Sequence, residues 1–150
     1  MKIVYLLLLI GNIITASSHN NIYDIIDNKE YEIEVSKFPQ NYIPASTSFY
    51  FRIKVEQSER YKVKVKVIKN SIINFKLDIC GFRDRPSEIQ LLNGHDGCVN
   101  SLKYEKEYLD NFDSYVFDYD TLEGIDYLGI HLQNFNALDY LSVNVTNQFN

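Results

Sequence analysis

Strict alternation of apolar and polar residues, repeated in seven separate stretches, most restricts what this chain can fold into. Tyr31, Ile33 and Val35 alternate with Glu30, Glu32 and Glu34, and Phe49, Phe51, Ile53 and Val55 with Tyr50, Arg52, Lys54 and Glu56. Tyr61, Val63, Val65 and Val67 interleave with Lys62, Lys64 and Lys66. The same rhythm returns over residues 73–79, 115–119, 128–132 and 141–145. Successive side chains of a strand point to opposite faces, so each stretch has one row for a core and one for water. That is the pattern of antiparallel sheets, because strands of all-parallel sheets are covered on both faces. β-branched and aromatic residues dominate the rows, as a pleated surface requires.

Seven strands without a long helical period predict an all-β fold, an antiparallel β-sandwich or jelly roll. Residues 48–55 and 61–67, joined by the polar connection of residues 56–60, read as a hairpin. If its two apolar rows share one side, then Arg52, Lys54, Lys62, Lys64 and Lys66 share the other. Like charges on neighbouring strands repel unless something neutralises them; this basic face and the loop region spanned by Cys80 and Cys98 are the expected contact surfaces. Ser87 and Gln90 have capping-box spacing after Pro86, and Gly94 could end the short helix they begin. Residues 101–109 fit helix or strand equally.

The chain begins as a secretory signal does. Lys2 gives a positive end, Ile3 to Ile10 an apolar run extended by Ile13 and Ile14, and Thr15-Ala16-Ser17-Ser18 a small polar exit. Cleavage is expected after Ala16 or Ser18, leaving about 132 residues, enough for one core. Interrupted by Gly11-Asn12, the run is short for a bilayer span, although a retained anchor is the alternative. The expected organisation is a signal peptide over residues 1–18, an N-terminal extension over 19–29 and a sandwich over 30–147.

Net charge is −5, which disfavours a uniformly basic nucleic-acid binder. The charge is segregated. Eight basic residues lie between Arg52 and Lys76 against Glu56 and Glu59, whereas residues 105–126 hold eight acidic residues and Lys106 alone as a base. The basic stretch could hold a sulfated glycan or an anionic lipid headgroup. The simpler alternative is that the acidic stretch of this molecule, or of a second copy, lies against it.

Two cysteines, Cys80 and Cys98, remain after the signal, and an even count in an oxidising compartment predicts a disulfide. No Gly-x-Ser-x-Gly, His-Glu-x-x-His or phosphate-binding glycine loop occurs, so no enzyme class is indicated. His95 and His131 have no metal-ligand spacing, and His131, on the polar phase of its strand, is expected in solvent. Asp118 and Asp120 project to one side of a strand, but the calcium-loop pattern with its distal Glu is missing. No cofactor and no metal is therefore expected. Tyr23, Tyr42, Tyr50, Tyr104, Tyr108 and Tyr127 are not placed in the core by the alternation and could offer stacking platforms for sugars. Asn144-Val145-Thr146 is a glycosylation sequon, with Asn144 the expected acceptor.

The order of stretches over residues 49–79 (Phe49-Tyr50-Phe51-Arg52-Ile53-Lys54-Val55, Tyr61 to Val67, then Ile73 to Ile79) resembles pre-peptidase C-terminal domains. The likeness lies in hydrophobic pattern and lacks the usual Asp-rich segment after the second hairpin. It implies a small secreted jelly-roll module that assists binding or secretion, and it transfers no functional residue. The functional expectation is a secreted, non-catalytic binding or surface-interaction module for an extracellular glycan or protein, with an acidic glycan as the first candidate. The competing class is a self-associating structural or coat protein of the extracellular space or a vesicle lumen.

Overall fold

A computed structural model describes residues 12–14, 21–34, 47–69, 75–106, 112–134 and 138–148. Among these residues ten strands and one short helix follow in order: β1 (Asn12–Ile14), β2 (Ile22–Ile25), β3 (Glu30–Ile33), β4 (Thr47–Lys54), β5 (Arg60–Lys69), β6 (Phe75–Phe82), α1 (Glu88–Leu92), β7 (Asn100–Lys106), β8 (Phe112–Asp120), β9 (Tyr127–Asn134) and β10 (Leu138–Asn147). They form two five-stranded sheets, β1-β3-β10-β5-β8 and β2-β4-β9-β6-β7. All pairings are antiparallel except β1 with β3 and β2 with β4. The expected all-β sandwich is therefore the fold. β1 lies inside the stretch read as a signal, and β2 inside the stretch read as an extension.

The apolar rows meet between the sheets. Val63, Val65 and Val67 of β5 and Leu141, Val143 and Val145 of β10 face Phe49, Phe51 and Ile53 of β4 and Leu128, Ile130 and Leu132 of β9. All are buried, and each such side chain contributes about 1.5–3 kcal/mol relative to exposure. At one end of the core the Tyr119 hydroxyl donates to the Asn100 carbonyl at 2.5 Å. Gly81 makes room for it, since a Cβ there would lie 2.6 Å from that hydroxyl. Tyr23 packs on Phe51 at 5.7 Å between ring centroids, and Tyr104 packs on Tyr115 and Phe117.

One expectation about pairing is overturned. β4 and β5 are not a hairpin: β4 pairs with β9 and β2, and β5 with β10 and β8. After β4 the chain crosses from one sheet to the other. The reason is geometric. Two alternating segments can bury their apolar rows side by side or face to face across the core, and alternation is the same in both cases.

Candidate functional site

Because β4 and β5 face each other, their basic residues point in opposite directions and form no common face. Lys62, Lys64 and Lys66 lie on the outer face of the first sheet. There Lys62 is in register with Asp118 and with Thr146, Lys64 with Val116 and Asn144, and Lys66 with Ser114 and Ser142. Lys66 Nζ is 3.4 Å from Glu30 Oε1, and Arg60 pairs with Asp120 at 2.6 Å. The acidic stretch thus runs along the basic strand within one molecule. Asp118 and Asp120 do share a side of β8; one accepts from Gln148, the other from Arg60. Asn144 is half-buried in the same face, and its Oδ1 accepts from Thr146 Oγ1 at 2.8 Å.

Arg52 and Lys54 lie on the outer face of the second sheet. Lys54 is exposed, but Arg52 is only 8% exposed and is not a free cation. Its Nε and Nη2 donate to the Asp24 carboxylate at 2.8 and 3.2 Å, and its Nη1 donates to the Pro86 carbonyl at 2.9 Å. Arg52 therefore fastens β2 and a loop to β4. It is a structural cation.

That loop, residues 83–99, is the feature that alternation could not disclose. It leaves β6, forms α1 and lies back over the outer face of the second sheet as a cover. The expected capping box is present: Ser87 Oγ accepts from the Gln90 N–H, and the Gln90 side chain accepts from the Ser87 N–H. The cover then tightens through left-handed residues at Gly94 (φ 70°), His95 (φ 60°) and Gly97 (φ 86°). The Asp96 N–H donates to the Gln90 carbonyl and the Cys98 N–H to that of His95. Cys80 and Cys98 form the expected disulfide, with Cα atoms 5.8 Å apart, a separation ordinary for such bridges. It ties the end of the cover to β6.

Beneath the cover sits a second apolar cluster of Tyr50, Cys80, Phe82 and Leu91, on the outward phase of the strands. Gly129 permits this approach, since a Cβ there would lie 2.9 Å from Phe82 and 3.1 Å from Leu91. Tyr50 and Tyr127, unplaced by the sequence, belong to this cluster, Tyr127 at its margin. Tyr42 and Tyr108 lie outside the described residues.

The left-handed turn drives His95 into the sheet, where it is 3% exposed. Its ring meets Phe82 edge-on at 5.7 Å and His131 at 5.9 Å, and its Nδ1 is 3.4 Å from Asp78 Oδ2. His131 stacks on Tyr50 at 4.3 Å. The expectation of a solvated His131 is thus corrected: the outward phase of β9 is under the cover at this row. Burial first, and then the charge His95 can carry, push His131 down to about 4, while Asp78 pulls it upward. Asp78 Oδ1, both ring nitrogens of His95 and His131 Nε2 are buried without a hydrogen-bond partner. Unsatisfied buried groups cost about 1–3 kcal/mol each, so this density of them at one place marks a site.

The cluster is the inner wall of an open cleft. Where the cover ends, Lys76 and Asp78 of β6, Lys103 and Glu105 of β7, and His131 and Gln133 of β9 line a recess of about 380 Å³. Register sets the order: Gln133–Lys76–Glu105 across one row and Tyr50–His131–Asp78–Lys103 across the next. Lys76 Nζ is 3.9 Å from Glu105 Oε1. Donors and acceptors alternate in both directions. Among the described residues no three His, Cys, Asp or Glu side chains converge to hold a metal ion. Among those residues, too, no helix is long and apolar enough to cross a membrane.

No protein-family model matches the chain, and no curated protein sequence matches it. Solved structures similar to it include the enzymatically active domain of bacteriophage CBA120 tailspike protein 4, at 11% identity over 68% of this chain, with a TM-score of 0.47. This chain covers only 14% of that tailspike chain. The pre-peptidase C-terminal domain of Bacillus anthracis collagenase is similar at 9% identity, over 83% of this chain and 94% of that one, with a TM-score of 0.45. A family 16 carbohydrate-binding module is similar at 7% identity, over 79% and 76% of the two chains, with a TM-score of 0.44. Likeness at this level transfers no residue and no ligand, and the site rests on its own geometry.

Proposed function

We propose that this chain is a non-catalytic binding module of the extracellular space or secretory lumen, and that it takes a neutral glycan in the cleft on its second sheet. The observation that carries the reading is the cleft's lining: two ammonium groups, two carboxylates, an imidazole and an amide, held in register by three adjacent strands. A sugar hydroxyl both donates and accepts, so it is satisfied where donors and acceptors alternate. The two lysines balance the two carboxylates, which favours a neutral ligand over an anionic one. The row Lys62, Lys64 and Lys66 is less suited to a polyanion, because Asp118 and Glu30 already neutralise part of it. The signal-like first eighteen residues, the disulfide and the sequon at Asn144 support export.

The test is an array of neutral and sulfated oligosaccharides, followed by calorimetry on the neutral hits. Replacing Gln133 or Lys103 with Ala is expected to weaken binding about tenfold, the loss of one good hydrogen bond. Binding confined to sulfated glycans and abolished by replacing Lys62, Lys64 and Lys66 with Ser would refute the cleft.

A further inference from the structure

The Asp78–His95–His131 cluster joins the cover to the cleft, and we propose that it is an acid-sensitive latch: as pH falls it releases the cover, reshapes the cleft and frees the bound ligand. The inference rests on the cleft being the binding site only for its last step. Three observations point to it. His95 is the cover's deepest polar side chain, held inward by a left-handed backbone that a non-glycine residue seldom adopts. Its ring abuts a second histidine that is itself packed against Tyr50. One carboxylate, Asp78, lies 3.4 Å from the His95 ring, stands in register beside His131 and also lines the cleft.

The groups facing His131 define what a proton there would meet. From β4 come Tyr50, which offers no counter-charge, and Arg52, already engaged by Asp24 and Pro86. From β6 come Asp78 and Lys76, and from β7, across the cleft, Lys103 and Glu105. From the cover comes His95. Among the described residues a single carboxylate, Asp78, touches the rings, so it can neutralise one imidazolium and not two. With both rings protonated the second charge is buried and uncompensated, a costly state that solvent would relieve by entering. The entry route is the cover, because lifting it from Gly129 hydrates both rings at once. Burial and the charge on His95 hold His131 down to about 4 from 6.5, placing the release between those values.

Native-state hydrogen exchange on the full chain, corrected for intrinsic rates, reads the latch without any ligand. The amides of Leu91, Asn93, His95 and Asp96 are bonded within the cover. They are expected to lose about tenfold or more in protection relative to β9 and β10 as pH falls from about 6.5 to about 4. His131→Gln removes the titrating ring and is expected to flatten that dependence. Asp78→Asn removes the counter-charge that a proton finds in the closed state and is expected to enlarge the loss of protection in acid. A purely packing role would instead loosen the cover equally at every pH. Cover protection that stays constant with pH, or falls identically in His131→Gln and Asp78→Asn, overturns the latch. A neutral glycan bound at pH 7 and at pH 4 alike overturns it too. A cover that opens in acid while no glycan binds at any pH upholds the latch and sinks the glycan reading.

Discussion

On the first sheet the outward row Lys62, Lys64 and Lys66 lies beside Asp118, Ser114 and Glu30, wet and largely self-neutralised. On the second sheet the outward row Tyr50, His131 and Asp78 lies partly under a stapled cover, with Asp78 Oδ1 and His131 Nε2 buried and without a hydrogen bond. Both rows obey the same alternation, and only the second lies under a cover. The difference comes from what lands on each face. Strand neighbours in register can cancel a row of charge, whereas a segment folded back over a sheet excludes water from the polar groups beneath it.

Removing that segment's anchor should break the contrast most strongly. Leu91 is fully buried against Phe82 and Gly129, so Leu91→Ala is expected to destabilise the cover by about 3–4 kcal/mol. Hydrogen exchange of the α1 amides would read it; the β10 amides should change little. A cover whose protection survives Leu91→Ala would mean that the second apolar cluster does not hold it. Replacing Cys80 and Cys98 together with Ser should cost about 3 kcal/mol on the chain-entropy model, measured by urea unfolding against the oxidised chain. Equal midpoints would show that the other contacts alone fix the cover.

Acid should sharpen the comparison, because the first sheet holds no histidine among its described residues. His131 is pushed down to about 4 in the folded chain from 6.5. Between those values the unfolded chain binds more protons, so stability falls as pH drops through that window and is undiminished above it. The loss should reach about 2 kcal/mol, less than the full shift implies, since solvent reaches one side of the ring. Thermal unfolding across that window, in the wild type and in His131→Gln, measures it; a wild-type curve no steeper than the variant's defeats the assignment.

Much of this contrast could be read in the residues themselves. Alternation gave the inward rows of β3 to β6 and β8 to β10 but not those of β2 and β7, Ser87 and Gln90 gave the start of α1, and Cys80 with Cys98 gave the staple. Pairing was not legible, because β4 and β5 bury the same residues whether adjacent or opposed. The site was hidden for a related reason. His95 and His131 are distant in sequence and meet only because Gly129 lets a loop descend, and nothing in a strand's period says that a loop will cover its wet side. Arg52 misled in the same way: its phase is outward, but Asp24 on β2 and Pro86 on the cover close over it.

The smallest expected effect falls on the face that looked most functional in the sequence. Lys62 and Lys64 are exposed, and Lys66 pairs with a half-exposed Glu30. Exposed pairs contribute little, so replacing all three lysines with Ser should change stability by less than about 1 kcal/mol in sum. Their loss leaves Glu30 without the Lys66 ammonium, while Arg60 stays near Asp118, and the repulsion that follows is screened within about 10 Å at 0.1 M salt. The same triple variant decides between the two remaining uses of this face. If it holds acidic glycans, the wild type is retained on heparin and the variant is not. If it meets the acidic row of a second copy, sedimentation shows wild-type association at low salt that high salt and the variant both abolish. A wild type that is monomeric at every salt concentration and passes through heparin unretained leaves the lysine row as edge protection for a sheet, and leaves recognition to the covered face alone.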